Sequence, residues 1–244
     1  TLAMSGQSSL FVWADTTYQP GGGIAANDIT VQGTINVEAN AVTASGSFNA
    51  ASGTVVAQNT ITLTGTSGAH TIAVGSGSFA NLVLDGTGSV VWIGTGSVTV
   101  PFSENLTISG GILLIDSVFD INGDYVQNGG SVALTDTIQL SGSWLHSAGV
   151  FAANTSTVLL DGTHQTLSGS VTFYHLEKTG SSAQTLTFAV GGYYGASGSL
   201  TLHGDDEASR LSLRSSVPGT QTPLRLDPTV ASQQTLQYLN VQDS

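Results

Sequence analysis

GDYVQNGGSV (123–132) and GSWLHSAGVF (142–151) carry the same pattern of residues and start 19 positions apart. In both, an aromatic residue follows the first glycine by two positions, a second glycine follows five positions later, and an apolar residue two positions after that. SGSFNAASGTV (45–55) carries a third copy. A repeat this short is one coil of a larger stack, because it cannot bury its own apolar face. We expect Phe48, Tyr125 and Trp144 to hold equivalent core positions, with Gly123 and Gly142 at equivalent corners.

Between the glycines, apolar and polar residues alternate with a period of two. In TITLT (60–64), for example, Ile61 and Leu63 alternate with threonines. Such alternation predicts strands with one buried face, and no window shows a sustained helical period. The sequence therefore predicts an all-β fold, a parallel β-solenoid with about 19–20 residues and three short strands per coil.

The charge distribution fits stacked coils. Residues 1–177 contain eleven Asp and Glu but no Lys or Arg, and only 8% of the whole chain is charged. Like charges stacked at ~5 Å would repel along the whole rod, which neutral Ser, Thr and Asn avoid. With a net charge of −12, nucleic acid and anionic lipid are not expected as partners. No apolar run approaches the ~20 residues of a membrane span, so no membrane insertion is expected.

We predict a single β-solenoid domain over residues 1–244. Residues 1–24 form an N-terminal strand and edge segment, residues 25–190 the regular coils, and residues 191–244 less regular terminal coils. The chain starts at Thr1 rather than Met, so we expect a mature piece or a slice of a longer protein. The chain contains no cysteine, which excludes disulfides and thiolate metal sites.

Asp116, Asp120 and Asp124 form the densest carboxylate cluster in the sequence. Three carboxylates could bind calcium, but the calcium-binding β-roll repeat is absent. A pair of them could hydrolyse a glycosidic bond if ~5 to 9.5 Å apart. The simpler interpretation is isolated corner residues. His146 and His164 are separated along the sequence by nearly one coil, but two ligands do not make a zinc site. We therefore assign no catalytic, cofactor-binding or metal-binding residues and expect no cofactor.

TVLLDGTHQTLSGSVTFYHLEKT (157–179), RLSLRSSVPGTQ (210–221) and YLNVQDS (238–244) resemble a recurring repeat module of very large bacterial cell-surface and extracellular proteins. The resemblance covers nearly the whole chain and is greatest from residue 141 onwards. It implies a right-handed β-solenoid used as a stalk, adhesin or filament, without catalytic residues, outside the cell or on its surface.

These observations predict a non-enzymatic extracellular structural protein that is a segment of a self-associating filament, stalk or adhesin. Its expected partners are other copies stacked head to tail or flanking repeats of a longer chain, with surface glycans as a further candidate. One alternative is a β-helical enzyme that degrades polysaccharides, which a groove with two carboxylates within ~10 Å would favour. The other is a carbohydrate-binding adhesive module without catalysis. Outward-facing aromatic side chains would favour it, and Trp13, Trp92 and the Tyr193–Tyr194 pair are the residues concerned.

Overall fold

The computed structural model describes residues 8–94, 99–180, 182–226 and 233–243, so residues 1–7 of the predicted N-terminal segment lie outside the described residues. In the described ranges every regular element is a β-strand, and all strand pairing is parallel. The predicted all-β parallel β-solenoid is therefore confirmed. The described residues contain no helix that is long and apolar enough to cross a membrane.

The strands of the described residues are, in chain order, β1 Leu10–Val12, β2 Thr17–Tyr18, β3 Ile24–Ala26, β4 Ile29–Val31, β5 Thr34–Glu38, β6 Val42–Ala44, β7 Phe48–Ala57, β8 Thr60–Leu63, β9 Ser67–Ser78, β10 Asn81–Asp85, β11 Ser89–Gly94, β12 Val100–Phe102, β13 Leu106–Gly110, β14 Ile112–Ile115, β15 Phe119–Ile121, β16 Tyr125–Leu134, β17 Thr137–Leu140, β18 Trp144–Ala152, β19 Thr157–Leu160, β20 His164–Ser168, β21 Val171–Thr179, β22 Gln184–Phe188, β23 Tyr194–His203, β24 Leu211–Ser215, β25 Leu224–Leu226, β26 Gln234–Gln237 and β27 Leu239–Gln242.

Three columns of paired strands form the sides of the solenoid. The first side begins with β1, β4 and the start of β7, and the second with β2, β5 and the end of β7. The third side begins with β3, β6 and β8. In several coils a single strand bends around a corner and covers two sides, as β9, β16 and β21 do.

The repeat is confirmed where it was most distinct in the sequence. Gly142 donates its backbone N–H to the carbonyl of Gly123 at 2.9 Å, so the two glycines occupy one corner of successive coils. Tyr125 pairs with Trp144 on the third side. Their rings stack nearly parallel, with centroids 3.9 Å apart.

The prediction that Phe48 shares this position is wrong. Phe48 pairs with Ile29 and Ile72 on the first side, whereas Tyr125 and Trp144 are on the third. The reason is coil length, because the coils from Phe48 to Ile72 and from Ile72 to Gly94 are both longer than the coil from Tyr125 to Trp144. The extra residues accumulate until the later copy of the motif falls on a different side.

Burial of the aromatic residues in the core is confirmed, since Phe48, Tyr125 and Trp144 are all fully buried. Phe48 also begins a run of ring contacts along the axis with Phe79, Phe102 and Phe119, with successive centroid separations of 5.2, 5.6 and 5.3 Å. Aromatic pairs at such distances contribute ~0.5–1.5 kcal/mol beyond the area that they bury. The interior is therefore filled by stacked side chains from successive coils.

A polar ladder at the start of the third side joins successive coils. Each side-chain oxygen accepts a hydrogen bond from a backbone N–H of the next coil: Asn81 from Asn105 at 3.2 Å, Asn105 from Asp124 at 2.6 Å, and Asp124 from Ser143 at 2.6 Å. The Ser143 hydroxyl continues the series by accepting from the N–H of Thr166 at 3.1 Å. These bonds satisfy backbone donors at a corner, where the sheet pairing is interrupted.

Candidate functional site

The three aspartates singled out in the sequence have separate positions. Asp124 belongs to the polar ladder, and Asp116 follows β14, with its N–H bonded to the carbonyl of Gly94. Asp120 lies on an outward position of β15. Across the described ranges, no group of three or more His, Cys, Asp or Glu side chains could hold a metal ion. The described structure therefore does not assemble the hypothetical calcium site from these residues.

A carboxylate pair that the sequence did not reveal is formed by Asp120 and Asp161. Partial burial raises the pKa of Asp120, and the negative charge of Asp161 raises it further. The Ser141 hydroxyl donates to the Asp161 carboxylate at 2.8 Å. The register of β15, β17 and β19 places the two aspartates at the second side, two coils apart. Their proximity comes from stacking, which spacing along the chain does not show.

His146 and His164 do not converge. Trp144 pairs with Leu167, so His146 lies two positions beyond this pair and His164 three positions before it. The two rings therefore belong to different stretches of the third side. Their spacing along the sequence is misleading, because the coil that runs from Trp144 to Leu167 is longer than the interval between the two histidines.

Lys178, the single lysine of the chain, is completely buried inside the solenoid. Its Nζ donates to the carbonyl of Gly162 and to Oε1 of Gln165, both at 2.6 Å. The Gln165 amide in turn donates to the carbonyls of Leu140 and Gly142, each at 2.7 Å. Burial lowers the pKa of Lys178 to about 8, and the carboxylate of Asp161 opposes this shift. The lysine thus completes a polar network that satisfies corner carbonyls over two coils.

The aromatic residues considered for ligand binding divide into inward and outward pairs. Trp92 is fully buried, and so is Tyr194, whose hydroxyl oxygen lies 2.9 Å from the carbonyl oxygens of both Leu167 and Ala189 and donates its one proton between them. Tyr193 is exposed, with the guanidinium of Arg225 lying 5.4 Å from its ring centroid. Trp13 is the most exposed of them, with 66% of its surface open to solvent. Trp13 and Tyr193 therefore remain as surface aromatics.

The chain next to Trp13 forms a tight turn. Thr16 donates both its N–H and its hydroxyl to the Trp13 carbonyl, at 3.2 and 2.6 Å. Asp15 within this turn has a left-handed backbone with φ 60°. The next coil packs closely against the turn at Gly33, where an added Cβ would lie 2.2 Å from the Thr16 carbonyl oxygen and 2.3 Å from that of Trp13. Only glycine permits this approach of two coils.

An open cavity of about 380 Å³ lies at this corner and extends over three coils. We call it the Thr groove, and it is lined by Asp15, Thr16, Thr17, Gln32, Gly33, Thr34, Ser52, Gly53 and Thr54. Thr17, Thr34 and Thr54 pair in register at the start of the second side, so each coil contributes one threonine. Gly53 keeps the floor of the groove low, because its Cβ would lie 2.6 Å from the Val31 carbonyl oxygen.

The polar groups of the Thr groove are available to a ligand. Within the described ranges, no hydrogen bond engages the side chains of Asp15, Gln32 or Ser52, or the hydroxyls of the three aligned threonines. The lining contains a single charged group, the Asp15 carboxylate, and no large apolar side chain. In the sequence the groove corresponds to three short polar triplets that each end in threonine. The triplets do not reveal the groove, because only the strand pairing shows that their threonines are aligned.

Comparisons of the chain with family models, with curated proteins and with solved structures found no match.

Proposed function

We propose that this chain is a segment of an extracellular or cell-surface structural protein, a β-solenoid stalk, adhesin or filament that lengthens by adding coils end to end. The fold supports the proposal, because a solenoid coil is completed by the coils on either side of it. The composition supports it as well. The uncharged Ser, Thr and Asn on the outward positions allow many coils to stack without repulsion between like charges.

The observation that carries the proposal is the uncovered face of the last described coil. Leu236 in β26 stacks on the buried Leu202, and Val241 in β27 stacks on the buried Leu213. These two residues thus occupy core positions of the coil, but they are 46% and 54% exposed. A further coil, from a flanking repeat or from another copy, would bury both side chains and pair the outer edges of the two strands, which have no partner strand among the described residues.

Head-to-tail stacking is heterologous and does not close on itself, so it builds a fibre. We expect this segment alone to form concentration-dependent linear assemblies, measured by sedimentation velocity and by negative-stain electron microscopy. The double variant Leu236→Asp and Val241→Asp should remain monomeric, because each new carboxylate would have to be buried without a partner. Val150→Asp is the matched control, since Val150 is 61% exposed on a lateral side and lies away from the ends.

A monodisperse monomer at every concentration would contradict the assembly proposal. Assembly blocked equally by Val150→Asp would show a lateral contact instead of stacking at the ends.

The Asp120–Asp161 pair is the one observation that favours the hydrolase alternative. Two carboxylates of which one has a raised pKa are the groups that glycoside hydrolysis requires. Release of reducing ends from polysaccharides by the native chain, lost in Asp120→Asn, would establish hydrolysis in place of a purely structural function. We expect no release.

A further inference from the structure

We propose that the Thr groove binds a neutral polysaccharide strand that runs along the solenoid axis across the first three coils. This inference goes beyond the structural function, because it assigns a ligand class to a particular surface whether or not the chain assembles.

The charge of the groove selects against anionic strands. Asp15 is its single charged residue, and the nearest cation along the sequence is Lys178, which is buried. A uronate, sulfate or phosphate group would therefore meet a carboxylate without a compensating cation. Sugar hydroxyls, in contrast, can donate to that carboxylate in charge-assisted hydrogen bonds, which are about twice as strong as neutral ones.

The spacing of the threonines suits a ligand that repeats. Thr17, Thr34 and Thr54 are aligned on successive coils, and coils are separated by ~4.8 Å, so that the row extends over ~10 Å. Each hydroxyl can donate one hydrogen bond and accept two. A row of such groups presents the same chemistry at each step, which a polymer of hydroxyl-bearing units can match.

The glycines and the turn make the groove a preformed site. Gly33 and Gly53 form its floor with backbone alone, where a Cβ would lie within 2.6 Å of a carbonyl oxygen at either position. Asp15 lines the groove at its first coil with a left-handed backbone of φ 60°, and strained residues concentrate at functional sites. A rigid site loses little conformational freedom on binding.

Trp13 and Phe11 form an exposed aromatic pair in the same coil as Asp15 and Thr17. The Trp13 carbonyl closes the turn that carries Asp15, and the Trp13 ring contacts that of Phe11 with centroids 4.4 Å apart. Phe11 is also exposed, at 40%. Two adjacent aromatic side chains in water provide an apolar platform, and binding sites typically combine such a platform with a few polar groups that fix orientation.

The test uses isothermal titration calorimetry of the full chain with four hexasaccharide probes. Three are neutral (cellohexaose, xylohexaose and N-acetylchitohexaose), and the fourth is the anionic hexagalacturonate. We expect at least one neutral probe to bind, and the anionic probe to give no signal. In the double variant Thr34→Val and Thr54→Val, affinity should fall at least tenfold, because the hydroxyls are lost while the shape of the side chains is kept.

The matched control is Thr43→Val and Thr62→Val, two outward threonines that pair in the same manner on the third side. It should bind like the native chain. Asp15→Asn provides a second variant should the first fail to fold, and it should also weaken binding. Absence of binding to all neutral probes, binding of hexagalacturonate alone, or equal losses in the two double variants would overturn the proposal. Since binding is measured at a concentration where the chain is monomeric, a failure of assembly leaves this result intact.

Discussion

The native chain should become more stable as the pH rises from 7 to 9.5, and replacement of the buried lysine, Lys178→Met, should abolish this rise. Burial lowers the pKa of Lys178 from 10.5 to about 8, so the unfolded chain binds a proton more tightly than the folded chain does. Protonation therefore favours unfolding below pH 8. Between pH 8 and 10.5 the lysine is neutral in the folded chain but still protonated in the unfolded chain. The free energy of unfolding therefore increases as the pH rises through this range.

The magnitude follows from the two pKa values. Their difference corresponds to about 3 kcal/mol of unfolding free energy, and about 2 kcal/mol of this is recovered between pH 7 and 9.5. The pH range of the measurement ends at 9.5 because burial raises the pKa of Tyr125 and of Tyr194. Near pH ~10 the tyrosines ionise in the unfolded chain but stay protonated in the folded chain. The free energy of unfolding therefore decreases at higher pH, which would obscure the effect of the lysine.

The assay is urea unfolding followed by circular dichroism at several pH values in the native chain, in Lys178→Met and in Arg210→Met. The arginine variant is the control, because Arg210 is an exposed cation and should leave the pH dependence unchanged. A native chain whose stability is flat over this range would refute the reasoning, and so would a Lys178→Met variant that retains the slope. Either result would mean that the ammonium group reaches water.

Two further predictions concern the core and the surface. Trp144→Ala should lower the free energy of unfolding by ~3–5 kcal/mol, because Trp144 is fully buried against Tyr125. The exposed Trp13 is the control, and Trp13→Ala should change the free energy of unfolding by less than ~0.5 kcal/mol. Equal urea midpoints for the two variants would contradict this prediction. Trypsin should cut the folded chain after Arg210, in the exposed loop before β24, and spare the buried Lys178, because cleavage requires local opening. Mass spectrometry of the fragments decides this, and an early fragment ending at residue 178 would show that the coil around the lysine opens.

The sequence predicts the fold well where coil length is constant. Tyr125 and Trp144 align because the coil between them matches the period of the sequence repeat, and Gly123 and Gly142 align with them. The same reasoning misplaces Phe48, since β9 and the coil after it lengthen the repeat. Strand alternation identifies which residues are buried, but the side of the solenoid depends on the summed length of all intervening corners, which alternation does not report.

The Thr groove could not be predicted from the sequence, because it too depends on coils of unequal length. DTT (15–17), QGT (32–34) and SGT (52–54) follow one another at unequal intervals, so no constant period connects them. They meet because Gly33 and Gly53 let successive corners approach backbone to backbone, and because Thr17, Thr34 and Thr54 are brought into register by the pairing of β2, β5 and β7. Close approach is a property of three-dimensional stacking that single triplets do not carry.

The inward position of Lys178 depends on a β-bulge. In FYHLEK (173–178), strict alternation would place Phe173 and Lys178 on opposite faces, since their offset along the chain is odd. The register of β21 against β23 shifts between Phe173 and His175, so that Phe173, Leu176 and Lys178 all face the core. Bulges redirect side chains in this way. The chain therefore carries its lysine into the interior, where the Gly162 carbonyl and Gln165 accept its hydrogen bonds. Because the same irregularity places an ammonium group in the interior, we expect the stability of the fold to depend on pH, which a perfectly regular solenoid of neutral residues would not show.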